Sequence, residues 1–246
     1  MAESFLGSGD LYINRMTDAG ALTGAKIAGA VTRFALNPES EMREQTGRGR
    51  NNYGQVIASA TLPGKTNINL TLNQLDAENM ALAFLGDVSA FSQAAATAAT
   101  AVITAVLDRW VEIGKEQISN LVVKDATDIT TYVVDVDYTV NARLGMIKLI
   151  NPALDGDTLN LTFDAAAVTA SKIVGGTSPI IRARLLLDGK NYVNGRDCKV
   201  LVYSARLRPT TEVDFLSEDF LPLELEGLCE IPEGKDEPFE IIYYDE

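Results

Sequence analysis

The sequence predicts a mainly β fold, and three observations lead to that prediction. Segments in which apolar and polar residues alternate recur along most of the 246 residues, as expected for half-buried strands. Clusters of Gly, Pro, Asn and Asp separate these segments. Only one segment, 77–85, has both the start and the stop signals of a helix. The length allows one large β domain or two smaller ones, and we predict a single domain over 1–246.

The N-terminal third predicts a short strand, 10–15, and then a long hairpin. Its strands are 26–36 and 54–61, joined by a polar loop over 37–54 that is rich in Gly and Arg. Hairpin loops usually have two to five residues, so a loop of this length indicates a functional segment. We expect Pro63-Gly64 to turn the chain into a third strand, 65–72.

The predicted helix, 77–85, follows the third strand. Asp76 has the side chain of a good N-cap, and Gly86 supplies the C-terminal stop. The next segment, about 87–108, is low in complexity and rich in Ala and Thr. Ala favours a helix and Thr weakens it, so we predict an insertion here without assigning its structure.

The β pattern resumes after this insertion. The remaining predicted strands are 109–114, 121–124, 132–135, 138–143, 146–150, 159–163, 180–187 and 199–207. Asp188-Gly189 and Asn194-Gly195 supply turn residues between the last two strands, which we expect to pair. The segment 215–228 predicts an irregular stretch and an edge strand.

Composition excludes several functional classes. Net charge is −13, which opposes stable binding to DNA because affinity for phosphates depends on Lys and Arg. The chain has no histidine, the usual general base near neutral pH and a common metal ligand. No apolar run approaches the roughly 20 residues that span a bilayer, and the N-terminus lacks the pattern of a secretory signal. We expect a cytoplasmic chain with both cysteines reduced.

Short motifs that imitate catalytic or metal sites are better explained as turns and strands. They are the phosphate-loop fragment Gly64-Lys65-Thr66, the calcium-loop fragment Asp155-Gly156-Asp157, and the carboxylate pairs Glu224/Glu226 and Asp135/Asp137. Each lacks the further residues that its chemistry needs. We therefore predict no catalytic, cofactor-binding or metal-binding residues, no cofactor, and no enzyme activity.

The long loop holds the best basic cluster of the chain. Its arginines are accompanied by a tyrosine and diluted by glutamates, a composition that favours contact with protein over contact with nucleic acid. The predicted contact residues are Glu39, Glu41, Arg43, Glu44, Arg48, Arg50, Asn52 and Tyr53.

Two blocks of the sequence resemble a known family. The segment 34–86 (FALNPESEMREQTGRGRNNYGQVIASATLPGKTNINLTLNQLDAENMALAFLG) resembles the signature region of the major tail tube proteins of long-tailed bacteriophages of the siphovirus type. Residues 137–141 with 145–147, the 185–191 turn and the run 213–228 are similar to the later part of the same family. The Ala/Thr-rich insertion has no place in that pattern.

This resemblance implies a β-sandwich whose subunits form six-membered rings. Paired strands of each subunit would close an oligomeric barrel around a channel, and stacked rings would form the hollow tail tube through which phage DNA passes during ejection. The implied partners are further copies of this chain, the tape measure, tail-tip and tail terminator proteins, and transiently the double-stranded DNA. The implied location is the virion tail, and the host cytoplasm before assembly, with no membrane binding.

The resemblance assigns roles to the hairpin. We expect residues 39–53 to form the contact between rings. If strands 26–36, 54–61, 180–187 and 199–207 line the channel, Gln55, Ser59 and Thr61 would face the lumen, and Val56, Ala58 and Ala60 would pack on the subunit's own core. These strands also carry five cations that neighbours would have to neutralise in an acidic channel: Lys26, Arg33, Arg182, Arg184 and Arg206.

Two alternatives belong to other classes. One is the tube protein of a contractile tail or of a secretion-system-like injection device, which a sheath protein encoded beside it would indicate. The other is a β-sandwich virion decoration or carbohydrate-binding module, which would expose a row of aromatic residues. The chain has one Trp and scattered Tyr.

Overall fold

The computed structural model describes residues 4–244, and the mainly β class predicted from the sequence is confirmed. The strands are β1 (Gly7–Met16), β2 (Leu22–Ile27), β3 (Val31–Thr46), β4 (Val56–Leu72), β5 (Asp87–Gln93), β6 (Ala96–Thr104), β7 (Trp110–Glu112), β8 (Ile118–Asp125), β9 (Thr131–Tyr132), β10 (Tyr138–Asn141), β11 (Met146–Leu149), β12 (Thr158–Ala165), β13 (Val168–Val174), β14 (Ile181–Asn191), β15 (Asp197–Pro209), β16 (Leu223–Glu230) and β17 (Phe239–Tyr243). The described part has a single α-helix, α1 (Ala77–Ala83), and a short 3-10 turn over Pro152–Leu154.

The chain divides into two compact units with separate hydrophobic cores. Unit 1 consists of the chain up to Val88 and from Ile173 onward, and unit 2 is Ser89–Lys172. The chain passes between the units in β5 and again in β13, and these two strands form a two-stranded sheet. The sequence predicts one domain with an insertion, whereas in the structure the Ala/Thr-rich segment opens a second unit.

The Ala/Thr-rich segment forms β5 and β6. In β6 the inward positions are Ala99, Ala101 and Ile103, and the outward positions include Thr100 and Val102. Inward and outward positions therefore alternate as in other strands of the chain. The inward residues are mostly alanines, so the sequence shows no clear alternation of apolar and polar residues. Pairing with β12 decides the conformation, which local propensity leaves open.

Unit 1 is built on one eight-stranded antiparallel sheet. Its order is β2-β1-β14-β15-β16-β4-β3, and β17 adds to β15. The first half of β15 pairs with β17 at Cys198–Val202, and the second half pairs with β16 at Ser204–Pro209. The predicted pairing of strands 180–187 and 199–207 is confirmed by β14 and β15.

The core of unit 1 lies on one face of this sheet because every second side chain is apolar. In β4, Ile68, Leu70 and Leu72 are buried, while Asn67 and Asn69 on the opposite face are half-buried. Helix α1 adds Leu82 and Ala83 to the same core. The central-strand leucines and isoleucines of this core are Leu11, Ile13, Ile181, Leu185, Leu207, Leu223 and Leu225.

Helix α1 begins as the sequence predicts. The Asp76 carboxylate accepts hydrogen bonds from the backbone N–H groups of Glu78 at 3.1 Å and Asn79 at 2.9 Å. Lys26 donates to the other oxygen of the same carboxylate at 2.8 Å. The helix ends at Ala83, two residues before the predicted end, and its predicted N-cap is confirmed.

Two predictions about the hairpin are wrong. The segment 26–36 is not one strand, since β2 ends at Ile27, pairs with β1, and is followed by β3 from Val31. Pro63-Gly64 makes no turn, because β4 runs straight through it. Pro63 pairs with Ser40, and Gly64 lies in the bulge that follows, opposite Glu39, where a Cβ on Gly64 would approach the Glu39 carbonyl oxygen to 2.9 Å. The bulge explains how β4 accommodates a proline and a glycine without ending.

Unit 2 contains a four-stranded sheet, β6-β12-β8-β9, and a three-stranded sheet, β10-β11-β7. Its core is made of the inward residues of both sheets and includes Val123, Ile147, Leu159, Leu161 and Phe163. Gly145, which the sequence predicts as a break before β11, has φ +61°, and a Cβ there would collide with the Lys115 carbonyl.

Candidate interaction surface

The outer part of the β3–β4 hairpin is the most unusual surface of unit 1. We call it the arm, and it comprises residues 39–46 of β3, the loop 47–55 and residues 56–65 of β4. Every residue of the arm is exposed except Gly47, which is buried, and Asn52, which is half-buried. Both faces of the arm are therefore open in a single copy.

The two faces of the arm carry different side chains. Residues that pair across antiparallel strands share a face, so Arg43 and Ala60 lie on one face and Met42 and Thr61 on the other. The first face also has Val56, Ala58, Leu62, Glu41 and Gln45, and the second has Ile57, Ser59 and Glu44. Met42 is 63% exposed and Ile57 is 58% exposed, so apolar area is uncovered.

The loop at the end of the arm is shorter than predicted and is closed by hydrogen bonds. It spans 47–55, because 37–46 belongs to β3. The N–H of Gly47 donates to the Gln55 carbonyl at 2.7 Å, and the N–H of Gly54 donates to the Gly47 carbonyl at 2.9 Å. The predicted loop is too long because a strand with two open faces has no apolar alternation to reveal it.

The structure divides the predicted contact residues between two elements. Arg48, Arg50, Asn52 and Tyr53 lie in the loop. The other four lie on β3, namely Glu39, Glu41, Arg43 and Glu44. All eight belong to the arm, and all are exposed except the half-buried Asn52.

The charges of the arm are only partly paired. Arg43 donates to Glu41 at 3.0 Å, and Lys65 lies 3.9 Å from Glu39. Among residues 4–244, no ion pair involves Arg48 or Arg50. The tip of the arm therefore presents two arginines and, in the same loop, Tyr53, which is 80% exposed.

The three predicted lumen residues are only partly on one surface. Ser59 and Thr61 share a face with Ile57, as the alternation predicts, whereas Gln55 lies in the loop just outside β4. The expectation that Val56, Ala58 and Ala60 pack on the subunit's own core is wrong, because all three are exposed. This part of β4 extends past β16, whose pairing covers only Thr66 to Leu72.

The polar face of the unit 1 sheet holds arginines that form ion pairs with acidic residues. Glu230 forms ion pairs with two of them, Arg182 at 3.2 Å and Arg206. Arg208 donates to Glu226, across the β15–β16 pair, at 2.8 Å from its Nε. The sequence cannot reveal these pairs, because Glu230 lies far along the chain from Arg182 and only the sheet register brings them together.

The cations predicted to need neutralisation behave differently from one another. Lys26 is paired with Asp76 and, at 3.4 Å, with Glu78. Its pKa is raised, chiefly by the hydrogen bond to Asp76. Arg182 and Arg206 share the single carboxylate of Glu230, which offsets one of their two positive charges. No ion pair of Arg33 or Arg184 lies within residues 4–244.

A second open surface lies between β15 and β16. We call residues 212–222 the acidic loop because it carries Glu212, Asp214, Glu218 and Asp219 and no basic residue. Three of its apolar side chains are strongly exposed: Phe215 at 73%, Leu216 at 91% and Phe220 at 103%. Sequence reasoning identifies this segment only as irregular, although its Phe-Leu and Phe-Leu pairs among acidic residues are a visible signal.

The carboxylate motifs have structural partners. Asp137 accepts hydrogen bonds from the Val133 backbone N–H and from Asn151, and these bonds lower the pKa of its carboxyl. Asp155 accepts from the Leu107 backbone N–H at 2.9 Å. Within residues 4–244, no three His, Cys, Asp or Glu side chains are grouped to hold a metal ion.

The two cysteines are free thiols in unit 1. Cys198 is buried, which raises its pKa together with the nearby Asp188 and Asp197. Burial also raises the pKa of Cys229 to about 11. Both thiols are therefore protonated and unreactive near neutral pH. None of the helices in the described range has the length and hydrophobicity needed to cross a bilayer.

The fold and the open surfaces define a mainly β protein of two units with an exposed hairpin arm. Residues 4–235 match the family described as "Protein of unknown function UCP028589", and the chain belongs to this family. No curated protein matches the chain.

Proposed function

We propose that this chain is the structural protein of a hollow phage tail tube, assembling through its own copies into stacked hexameric rings around a DNA channel. The observation that carries the proposal is the arm, a two-stranded extension with both faces open. A two-stranded hairpin alone is at best marginally stable in water, so a partner that covers it would stabilise it. The resemblance of 34–86 to tail tube proteins includes the whole arm.

Open sheet edges also support self-assembly. β2 and β3 end the unit 1 sheet, and each has a strand neighbour on one side only. The outer part of β4 also has a free edge, since β16 stops at the level of Thr66. Free edges are templates for pairing with another chain, and a closed ring removes them.

The charge of the chain suits a conduit for DNA. Six copies would carry −78, six times the −13 of one chain. The arginines of the polar sheet face are largely held by Glu230 and Glu226, which reduces their ability to bind phosphate. A channel wall built on this face would let DNA slide past.

Unit 2 favours the decoration or binding module as a second function of the same chain. It has its own core and is inserted in unit 1 through one pair of neighbouring strands, as an added module would be. A tube of a contractile tail shares every feature that supports the first proposal, and no described feature of this chain favours it.

Electron microscopy of the purified chain tests the proposal. We expect rings or tubes, alone or on a tail-tip nucleus, at high protein concentration. Deleting 47–52 should leave a folded subunit that does not elongate, because the tip of the arm is lost. A wild-type chain that stays monomeric by light scattering with and without the nucleus would contradict the proposal.

A further inference from the structure

The acidic loop is a preformed surface. Val213 packs on the unit 1 core, and the ring of Phe215 stacks on Phe84 with 5.8 Å between centroids. Within the loop, Asp214 accepts from the Leu216 N–H at 2.9 Å, and Ser217 accepts from the Asp219 N–H at 3.1 Å. These contacts hold the loop backbone and the Phe215 ring against unit 1, so the loop presents its other apolar side chains to the outside.

The tip of the arm has the complementary chemistry. The loop combines four carboxylates with exposed Leu216 and Phe220, while the tip combines Arg48 and Arg50 with exposed Tyr53. Specific protein contacts usually combine apolar and aromatic side chains at the centre with arginine and complementary charges, and both surfaces have this composition. The two surfaces are therefore complementary in charge, and each has uncovered apolar area.

The sheet register places these two surfaces at opposite ends of unit 1. β4 and β16 pair from Thr66 opposite Cys229 to Leu72 opposite Leu223. The arm extends beyond the Thr66 end, and the acidic loop immediately precedes Leu223 at the other end. The paired stretch spans about 20 Å at about 3.3 Å per residue, so one copy cannot bring its own arm to its own acidic loop.

We infer that the arm of one copy docks on the acidic loop of a second copy, with Arg48 and Arg50 against Glu218 and Asp219. This inference rests on the proposed function and names the partner of the arm within it. A contact between two different surfaces at opposite ends of a subunit repeats head to tail, and it builds an open filament unless the rotation between copies closes it into a ring. In the proposed tube we assign it to the contact between stacked rings.

Cysteine pairing tests the contact directly. We choose Asn51→Cys at the tip of the arm and Ser217→Cys in the acidic loop, since both sites are exposed and neither is a proposed contact residue. The sulfur at 217 remains an acceptor, although a weaker one, for the Asp219 N–H. Cys198 is buried and the pKa of Cys229 is about 11, so mild oxidation near pH 7.5 leaves both native thiols unreacted. The matched control replaces Ser217→Cys with Ser119→Cys, at an exposed serine of unit 2.

The double variant N51C/S217C should give a ladder of covalent oligomers on denaturing gels, and N51C/S119C should give none. Mixing N51C with S217C should give a dimer that neither variant forms alone. The same yield from both double variants, or no ladder from N51C/S217C, would overturn the docking.

Charge exchange provides a second test that does not depend on cysteine geometry. Arg48→Glu with Arg50→Glu should stop assembly, as should Glu218→Lys with Asp219→Lys, and the variant with all four changes should regain it. Tubes of the wild type without crosslinks or charge rescue would refute this docking and leave the tube proposal standing. Crosslinks in a chain that forms no tubes would refute the tube proposal and leave the docking standing. A chain that forms neither crosslinks nor tubes would refute both the docking and the tube proposal.

Discussion

The two separate cores predict that the units lose stability independently of each other. The perturbation is Leu161→Ala in unit 2, with Leu70→Ala as its matched counterpart in unit 1. Each leucine is 1% exposed. Leu161 lies on β12 between Ala101 and Val123, and Leu70 has the equivalent central position on β4.

The structure sets the size of the effect. Removing three side-chain carbons from a buried leucine costs about 3 kcal/mol of unfolding free energy, because it loses transfer energy and leaves a cavity. With a urea dependence of about 1 kcal/mol per molar for a unit as small as unit 2, the midpoint should fall by about 3 M. Unit 1 is larger, so Leu70→Ala should move its midpoint by fewer molar units for the same energy.

Two native probes separate the units. Trp110, the sole tryptophan, lies in unit 2, so intrinsic fluorescence follows that unit. Cys198 and Cys229 both lie in unit 1, so pulsed thiol labelling follows the unfolding of unit 1. Leu161→Ala should shift the fluorescence transition and leave the labelling transition in place, and Leu70→Ala should do the opposite. Equal shifts of both transitions by either variant would refute the independence of the cores.

Further predictions concern the helix cap, the arm and unit 2. Burial raises the pKa of the Asp76 carboxyl, but hydrogen bonds from the Asn79 N–H and Lys26 outweigh burial and the net pKa is lowered. The cap therefore stabilises unit 1 fully above the unfolded-state pKa of about 4, and this stabilisation is lost as the pH falls through the lower pKa of the folded state. Asp76→Ala should accordingly cost about 1 kcal/mol of unfolding free energy at pH 7 and much less in acid. Urea midpoints followed by far-UV circular dichroism measure this cost at both pH values, since a thiol is not nucleophilic in acid, and the same cost at pH 7 and at pH 3 would contradict the prediction. Ser59→Lys should leave assembly intact and slow DNA ejection, most at low salt, because each added cation can hold a phosphate; intact mutant tails with unchanged ejection kinetics would exclude Ser59 from the lumen. Replacing 90–171 by two glycines should leave a subunit that still forms tubes under the electron microscope, since Ser89 Oγ lies 3.3 Å from the carbonyl oxygen of Lys172 and a short link can join these ends. A product that unfolds cooperatively in urea and yet forms no tubes would show that unit 2 is part of the tube contact.

Local sequence predicts much of the fold because many strands of this chain have one buried face. Ile68, Leu70 and Leu72 alternate with polar residues, and the structure buries these three. The pairing of β14 with β15 could also be predicted from the sequence, since turn residues lie between two apolar segments. The N-cap of α1 depends only on Asp76 and the residues next to it, so the local sequence predicts it as well.

The candidate surfaces were harder to predict. All eight predicted contact residues belong to the arm, but four of them lie on a part of β3 that has no apolar alternation. The acidic loop gave only the signal of an irregular segment. Whether its side chains are exposed depends on which other segments of the chain pack against the loop, and the local sequence does not show this.

The sequence by itself determined the mainly β class, the helix start and the absence of histidine chemistry, since these follow from composition and from neighbours along the chain. Tertiary structure alone decided the rest. It made the Ala/Thr-rich segment part of a second core, carried β4 through Pro63-Gly64 into an open arm, and brought Glu230 to Arg182 and Arg206. Each of these outcomes depends on strand register between distant segments, which is set by the packing of the whole unit.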